Sequence, residues 1–215
     1  MKHTSVNNLH EIIKEVEILN KETKIIAVSK TFNTDKILPL IKSGHLDFGE
    51  NKVQESLEKW PQMKSEFRNV KLHMIGKLQT NKVKQAVSVF DYIHSVDTFK
   101  LAKKISEEQK KINKNIKIFI QINIDNEDQK SGILKNELKD FYYSLTTELK
   151  INVIGIMCIP SIESNPNQTF SSMKKLSNDI EVKEISMGMS ADYIEAVKNG
   201  ATFIRIGSKI FGKRD

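Results

Sequence analysis

The chain has 215 residues, 39% of them hydrophobic and 28% charged, with 9 Gly and 4 Pro, the make-up of a folded globular protein and not of a disordered or fibrous one. That length buries one sizeable core, so a single domain over residues 1–215 is expected. The formal charge is +7, yet of the 34 basic residues only Arg68, Arg205 and Arg214 are arginines, and the lysines are spread along the chain. Without an aromatic-plus-basic module this excess reads as a solvated lysine surface, and no nucleic-acid partner is expected.

The N-terminal stretch MKHTSVNNLHEIIKEVEILN has no leader-like apolar region. No later apolar run approaches the ~20 residues that span a bilayer, so a cytoplasmic protein without a membrane partner is expected. Leu9, Ile12, Ile13, Val16 and Leu19 fall at helical spacing and predict an additional, amphipathic N-terminal helix packed on the body.

Beyond it, strand-like runs at 24–29, 47–50, 71–75, 92–96, 116–123, 153–159, 184–187 and 202–207 alternate with helical segments at 34–43, 51–59, 79–87, 98–112, 135–149, 167–179 and 190–199. Pro39 lies inside the first of these helices, where proline costs ~3 kcal/mol, so that helix is expected to begin late or kink. Strands each followed by a helix predict an α/β fold, a single-domain (β/α)8 TIM barrel, with a doubly wound open sheet as the nearest competitor. The fifth run favours closure. Its isoleucines at 116, 118, 120 and 122 share one face while Lys117, Phe119, Gln121 and Asn123 share the other. A polar face suits a barrel interior better than a sheet covered by helices on both sides.

In such barrels chemistry sits at the C-terminal strand ends, and phosphate often binds after strands seven and eight. Those ends carry Gly188 and Ser190, then Gly207 and Ser208, residues whose backbone N–H groups and hydroxyls can approach an anion, although Ser190 also suits the N-cap of ADYIEAVKNG. Arg205, in the middle of TFIRIG, shares a face with Phe203 and Gly207 and needs a partner, either a ligand or a barrel carboxylate. Lys30 directly follows the first strand; desolvated there, its amine would be nucleophilic and able to form a Schiff base, with Lys77 as a rival set off by Gly76. Lysine, phosphate-accepting turns and arginine are together the inventory for pyridoxal phosphate (PLP). Cys158, the single cysteine, lies in VIGIMCI and reads as a buried small hydrophobe in preference to a catalytic thiol.

The stretches AVSKT (27–31), DFGENKVQE (47–55), HMIGKLQTNKV (73–83), IHSVD (93–97), GIMCIP (155–160), SMGMSADYIEAVKNGAT (186–202) and RIGSKIFGKRD (205–215) carry a resemblance over essentially the whole chain. The chain resembles the pyridoxal phosphate homeostasis family of the YggS/PROSC type, which shares the barrel of the alanine racemase N-terminal domain. The resemblance implies a Schiff base between PLP and Lys30, a phosphate held by Ser190, Gly207 and Ser208, Arg205 facing the pyridine nitrogen, and Asn51, His73 and Met189 lining the pocket. It implies no metal.

It further implies a monomer that buffers PLP and delivers it to PLP-dependent apoenzymes, serving vitamin B6 homeostasis without catalytic turnover. The alternative is a racemase-like PLP enzyme. Against it, an arginine facing the pyridine nitrogen disfavours protonation of the ring, and Tyr92, Tyr142, Tyr143 and Tyr193 have no evident route to the pocket. With the sequence stopping at Asp215, directly after the barrel, the racemase's second domain is expected to be absent. Lys209 stands where this family usually has a small or hydroxyl residue, and the resemblance leaves it open between phosphate and solvent.

Overall fold

The computed structural model describes residues 3–127 and 129–212; Met1, Lys2, Asp128 and the last three residues of the RIGSKIFGKRD stretch lie outside the described residues. Eight strands, β1 (Lys24–Val28), β2 (Asp47–Glu50), β3 (Lys71–Met74), β4 (Tyr92–Val96), β5 (Lys117–Ile122), β6 (Val153–Cys158), β7 (Glu184–Met189) and β8 (Phe203–Ile206), pair in parallel in chain order. β1 also pairs with β8, from Lys24 opposite Phe203 to Ala27 opposite Ile206, which closes the barrel and excludes the open sheet.

Side-chain parity explains the closure. Ile118, Ile120 and Ile122 of β5 join the large cluster between sheet and helices, whereas Phe119 points inward and packs with Ile26, Tyr92, Met157 and Phe203. Aromatic rings fill the interior: His73 stacks on Tyr92 and His94 on Phe119, both at 4.1 Å between centroids.

Helix α1 (Thr4–Leu19) buries Leu9, Ile12 and Val16 and packs across α2, α8 and α9, but Leu19, expected on the buried stripe, is exposed at its end. Two helices carry a proline in their interior. Helix α2 (Thr34–Lys42) begins at Thr34 despite Pro39, since in so short a helix the ring removes a single backbone bond. Helix α3 (Val53–Glu66) runs through Pro61, beyond the expected end at 59, because the buried Trp60 and Met63 fasten its second half.

The remaining helices are α4 (Val83–Val89), α5 (Phe99–Lys111), α6 (Leu138–Tyr143), α7 (Pro166–Asp179), α8 (Tyr193–Lys198) and the short α9 (Ser208–Phe211). The helix expected over 135–149 is instead a 3-10 turn, α6 and a π-helical turn, where the Thr146 and Thr147 hydroxyls donate back to the carbonyls of Tyr142 and Tyr143.

Gly188 sets how closely α8 lies on β7. Its φ is +88°, and a Cβ there would fall 2.5 Å from that of Ala196 and 3.1 Å from the Tyr193 Cα. Gly188→Ala is expected to lower stability by roughly 2–3 kcal/mol in urea unfolding. A loss under about 0.5 kcal/mol would mean that α8 moves aside freely.

Candidate functional site

A cavity of about 400 Å³ opens at the C-terminal ends of the strands, within the usual range for small-molecule sites. Lys30 reaches it from the end of β1, Asn51 from β2, Met189 and Ser190 from β7, and Arg205, Gly207 and Ser208 from β8. Val28, Phe32, Ile75 and Ile159 supply apolar wall. The expectation for His73 is corrected: it does not line the cavity. Parity turns it inward, but one layer too deep, where it stacks on Tyr92 and hydrogen-bonds Asp47 and His94; Ile75, two residues on, is the β3-side residue that reaches the cavity. Lys77 lines an adjoining cleft with Lys52, Gln54 and Lys82, and only Asn51 is shared between the two.

Lys30 is half-buried, and the loop carrying it is clamped from α3. Lys59 Nζ donates to the carbonyls of Ser29 (3.0 Å) and Phe32 (3.2 Å) and to Glu55 Oε1 (2.7 Å), and it pairs with Glu50 Oε1 at 2.8 Å. Glu55 Oε1 in turn accepts the backbone N–H of Thr31 (2.6 Å), a residue held at φ +68°. Glu50 is fully buried and also accepts from the Ser29 hydroxyl (2.8 Å) and the Trp60 indole (3.0 Å). Burial pushes its carboxyl up, while Lys59, Trp60 and Ser29 pull it back. On the far side of Lys30, the Phe32 ring stacks on Phe211 of α9 at 4.7 Å. Of this clamp, the Glu55/Lys59 spacing was visible in the sequence, but the two carbonyl contacts join distant segments and leave no periodic trace.

Arg205 is 4% exposed, and its fixed partners are neutral: Nη1 donates to Ser186 Oγ (2.7 Å) and Nη2 to the Cys158 carbonyl (2.8 Å). Among the described residues, no barrel carboxylate, the alternative partner considered, is in direct contact with it. Burial lowers the guanidinium pKa, with Cys158 and Asp192 opposing, yet an arginine there stays a cation. Burial pushes the neighbouring Cys158 thiol up to about 12 against the pull of Arg205. Lys209 turns away from the cavity: its amine donates to the Tyr193 hydroxyl (3.1 Å) and lies 4.6 Å over that ring, and Tyr193 donates to Glu15, tying α9, α8 and α1 together. Among the described residues no cluster of His, Cys, Asp or Glu is placed to hold a metal, and no helix is long and apolar enough to cross a membrane.

Fold and cavity together define a class: a closed (β/α)8 barrel with a lysine and a buried arginine on the walls of one pocket at the strand ends. The chain belongs to the family described as Alanine racemase, N-terminal domain, whose model matches residues 6–215. It is 32% identical to the Pyridoxal phosphate homeostasis protein of Pasteurella multocida Pm70, over 97% of this chain and 94% of that one. It is 34% identical to the protein of the same name from Aquifex aeolicus VF5, over 89% and 87%.

Among solved structures, PipY of Synechococcus elongatus PCC7942 without PLP superposes with a TM-score of 0.89 at 28% identity, over 98% of this chain and all (100%) of that one; the same protein with PLP bound gives 0.87. Alanine racemase of Clostridium difficile 630, at 13% identity and a TM-score of 0.75, covers 97% of this chain but only 57% of its own length, and shares the fold alone.

Two outcomes check the site's construction. Lys59→Met leaves the buried Glu50 charge unpaired and is expected to cost about 3–5 kcal/mol in thermal unfolding, with part of the loss restored by adding Glu50→Gln; a cost below about 1 kcal/mol would remove the clamp from the account. Cys158 is expected to resist thiol-directed alkylation at mildly alkaline pH in the folded protein and to react on unfolding, since the buried thiol stays protonated.

Proposed function

We propose that this protein binds pyridoxal 5'-phosphate and serves its homeostasis, holding the cofactor on Lys30 and releasing it, without catalytic turnover. The observation that carries the reading is the placing of the Lys30 amine and the Arg205 guanidinium on the walls of one cavity bordered by Ser190, Gly207 and Ser208. The names of the curated relatives and the PLP-bound form of PipY support it. PLP supplies an aldehyde that an amine captures reversibly and a ring that withdraws electrons when its nitrogen is protonated.

Each residue then has a task. Lys30 would hold PLP through its Nζ, whose reversible condensation with an aldehyde releases one water and is undone when water returns. Ser190, Gly207 and Ser208 hold the phosphate with hydroxyls and backbone N–H groups. Asn51 and Met189 flank the ring. Arg205, facing the pyridine nitrogen as a permanent cation, opposes a proton there and so blunts the electron sink that a racemase or transaminase needs. Tyr92 is packed inside the barrel beneath the cavity and Tyr193 is bonded to Glu15 and Lys209, so neither phenol is poised as a base. Storage and delivery to PLP-dependent apoenzymes, by a monomer in the cytoplasm, is the reading consistent with these features.

Borohydride reduction of the PLP-loaded protein followed by peptide mapping tests it: the label is expected on Lys30 alone and absent in Lys30→Ala. A label on Lys77, or none at saturation, would sink the assignment. Arg205→Gln is expected to weaken PLP binding with the barrel still folded. Racemase or transaminase turnover that disappears in Lys30→Ala would instead establish the enzyme reading.

A further inference from the structure

Five side chains form one unbroken hydrogen-bonded line through the barrel. Arg205 Nη1 lies 2.7 Å from Ser186 Oγ, Ser186 Oγ 2.9 Å from His94 Nδ1, His94 Nε2 3.0 Å from His73 Nδ1, and His73 Nε2 2.9 Å from Asp47 Oδ1. The first four residues are buried. Asp47 opens β2 and is half-buried at the N-terminal end of the barrel, in a cleft shared with Lys21, Lys24 and His45. The line therefore joins the cavity wall to the opposite face of the molecule.

Chemistry at the two ends sets its direction. A guanidinium only donates and a carboxylate only accepts. Burial lowers the pKa of both histidines, His94 well below the usual value, where the Arg205 cation and any proton gained by His73 would oppose a charge further. Burial raises Asp47, but the hydrogen bond from His73 and the basic groups around it outweigh burial and leave the carboxyl lowered. Both rings are thus neutral and the carboxylate is ionised near neutral pH. Starting from Arg205, Ser186 accepts and turns its own proton to His94 Nδ1. His94 then carries its proton on Nε2 and donates to His73 Nδ1, which leaves the His73 proton on Nε2, aimed at Asp47. Starting from Asp47 gives the same answer. Either ring in its other tautomer would set two N–H groups, or two lone pairs, against each other.

Other charges face the line. Lys24 lies 5.2 Å over the Phe203 ring and Lys117 5.0 Å over the Tyr92 ring at the lower end, where Asp91 and His45 also act; Asp192 and Cys158 act on Arg205 at the upper end. Among the described residues, Cys158 meets the line through its carbonyl on Arg205 Nη2, and His45 Nε2 bonds the backbone carbonyl of Asp47 at 2.9 Å.

We propose that Ser186, His94, His73 and Asp47 are positioning residues for Arg205: they hold the guanidinium plane at the cavity wall and give it, across the barrel, a carboxylate counter-charge through donors that all point the same way. Bonds aligned in this manner polarise one another, so the charge on Asp47 is felt at Arg205. Two of the five guanidinium N–H groups are taken by Ser186 and Cys158, which fixes the plane in which the others meet a ligand. Doubly protonated His73 would donate from Nδ1 and reverse His94, leaving Ser186 with two donors and its own proton without an acceptor. The inference rests on the PLP reading only in that Arg205 faces the bound ring.

Two measurements test it. In cofactor-free protein, long-range proton–nitrogen spectra of the imidazoles near neutral pH are expected to show His73 and His94 both as the Nε2–H tautomer, with His94 losing that preference in Ser186→Ala. An Nδ1–H form of either ring, or a protonated His73, overturns the proposal. In PLP-loaded protein, Ser186→Ala is expected to weaken PLP about tenfold, and Asp47→Asn to shift the pH at which the absorbance of the bound cofactor changes. That shift should vanish in an Arg205→Gln background. An equal shift in both backgrounds means that Asp47 acts through the fold and not through Arg205, which also overturns it. Should Asp47→Asn not fold, Ser186→Ala carries the same two-background comparison. If the wild-type protein binds no PLP, the cofactor reading fails by itself and the tautomers alone decide the relay.

Discussion

Closure of β1 against β8 is the constraint on which everything else depends. Lys30 lies near the start of the chain and Arg205, Gly207 and Ser208 near its end, and they share a cavity only because Ala27 pairs with Ile206 and brings Val28 beside Gly207. An open sheet of the same strands would set these residues on opposite edges. Closure also removes both edges of the sheet. The pocket is thus a by-product of the way the sheet satisfies its own backbone.

Once closed, the barrel takes several charges out of water, and it manages them by two different routes. Glu50 and Lys59 meet directly, and the surplus donors of Lys59 are used on the Ser29 and Phe32 carbonyls, so the ion pair does structural work on the loop that holds Lys30. Arg205 has no such immediate carboxylate and is satisfied through hydroxyl, carbonyl and imidazole groups. A direct pair would use the guanidinium donors that face the cavity. Neutral partners hold the side chain still and leave its charge available to a ligand.

Much of this was legible in the sequence, and the pattern of success has a physical basis. Alternation along Ile116–Asn123 reveals which side chains point inward, because a strand's period is fixed by its backbone. Depth along the barrel axis is not encoded in that period. His73, named for the pocket by the family resemblance and not by that period, faces inward but a layer below the cavity, while Ile75 went unnoticed. The helix expected over 51–59 was too short for a related reason: local pattern weighs a residue alone, whereas Trp60 contributes burial and an indole bond to Glu50. The Lys59 clamp and the line from Arg205 to Asp47 were invisible because each is built from residues far apart in the chain, with no local spacing to betray them.

The same geometry bears on the proposal that this barrel holds a cofactor without turning it over. Catalysis by an electron-withdrawing ring needs a proton on its nitrogen and a base beside the substrate. Here the residue on the cavity wall is an arginine held from two sides by Ser186 and the Cys158 carbonyl, and a guanidinium does not yield a proton. The tyrosines that could serve as bases are committed elsewhere, Tyr92 to the aromatic interior and Tyr193 to the contacts that tie the first and last helices. What remains at the strand ends is one amine on a rigid loop, a cradle of small residues and a fixed cation. Under the proposed reading, those parts serve to capture an aldehyde-bearing phosphate reversibly.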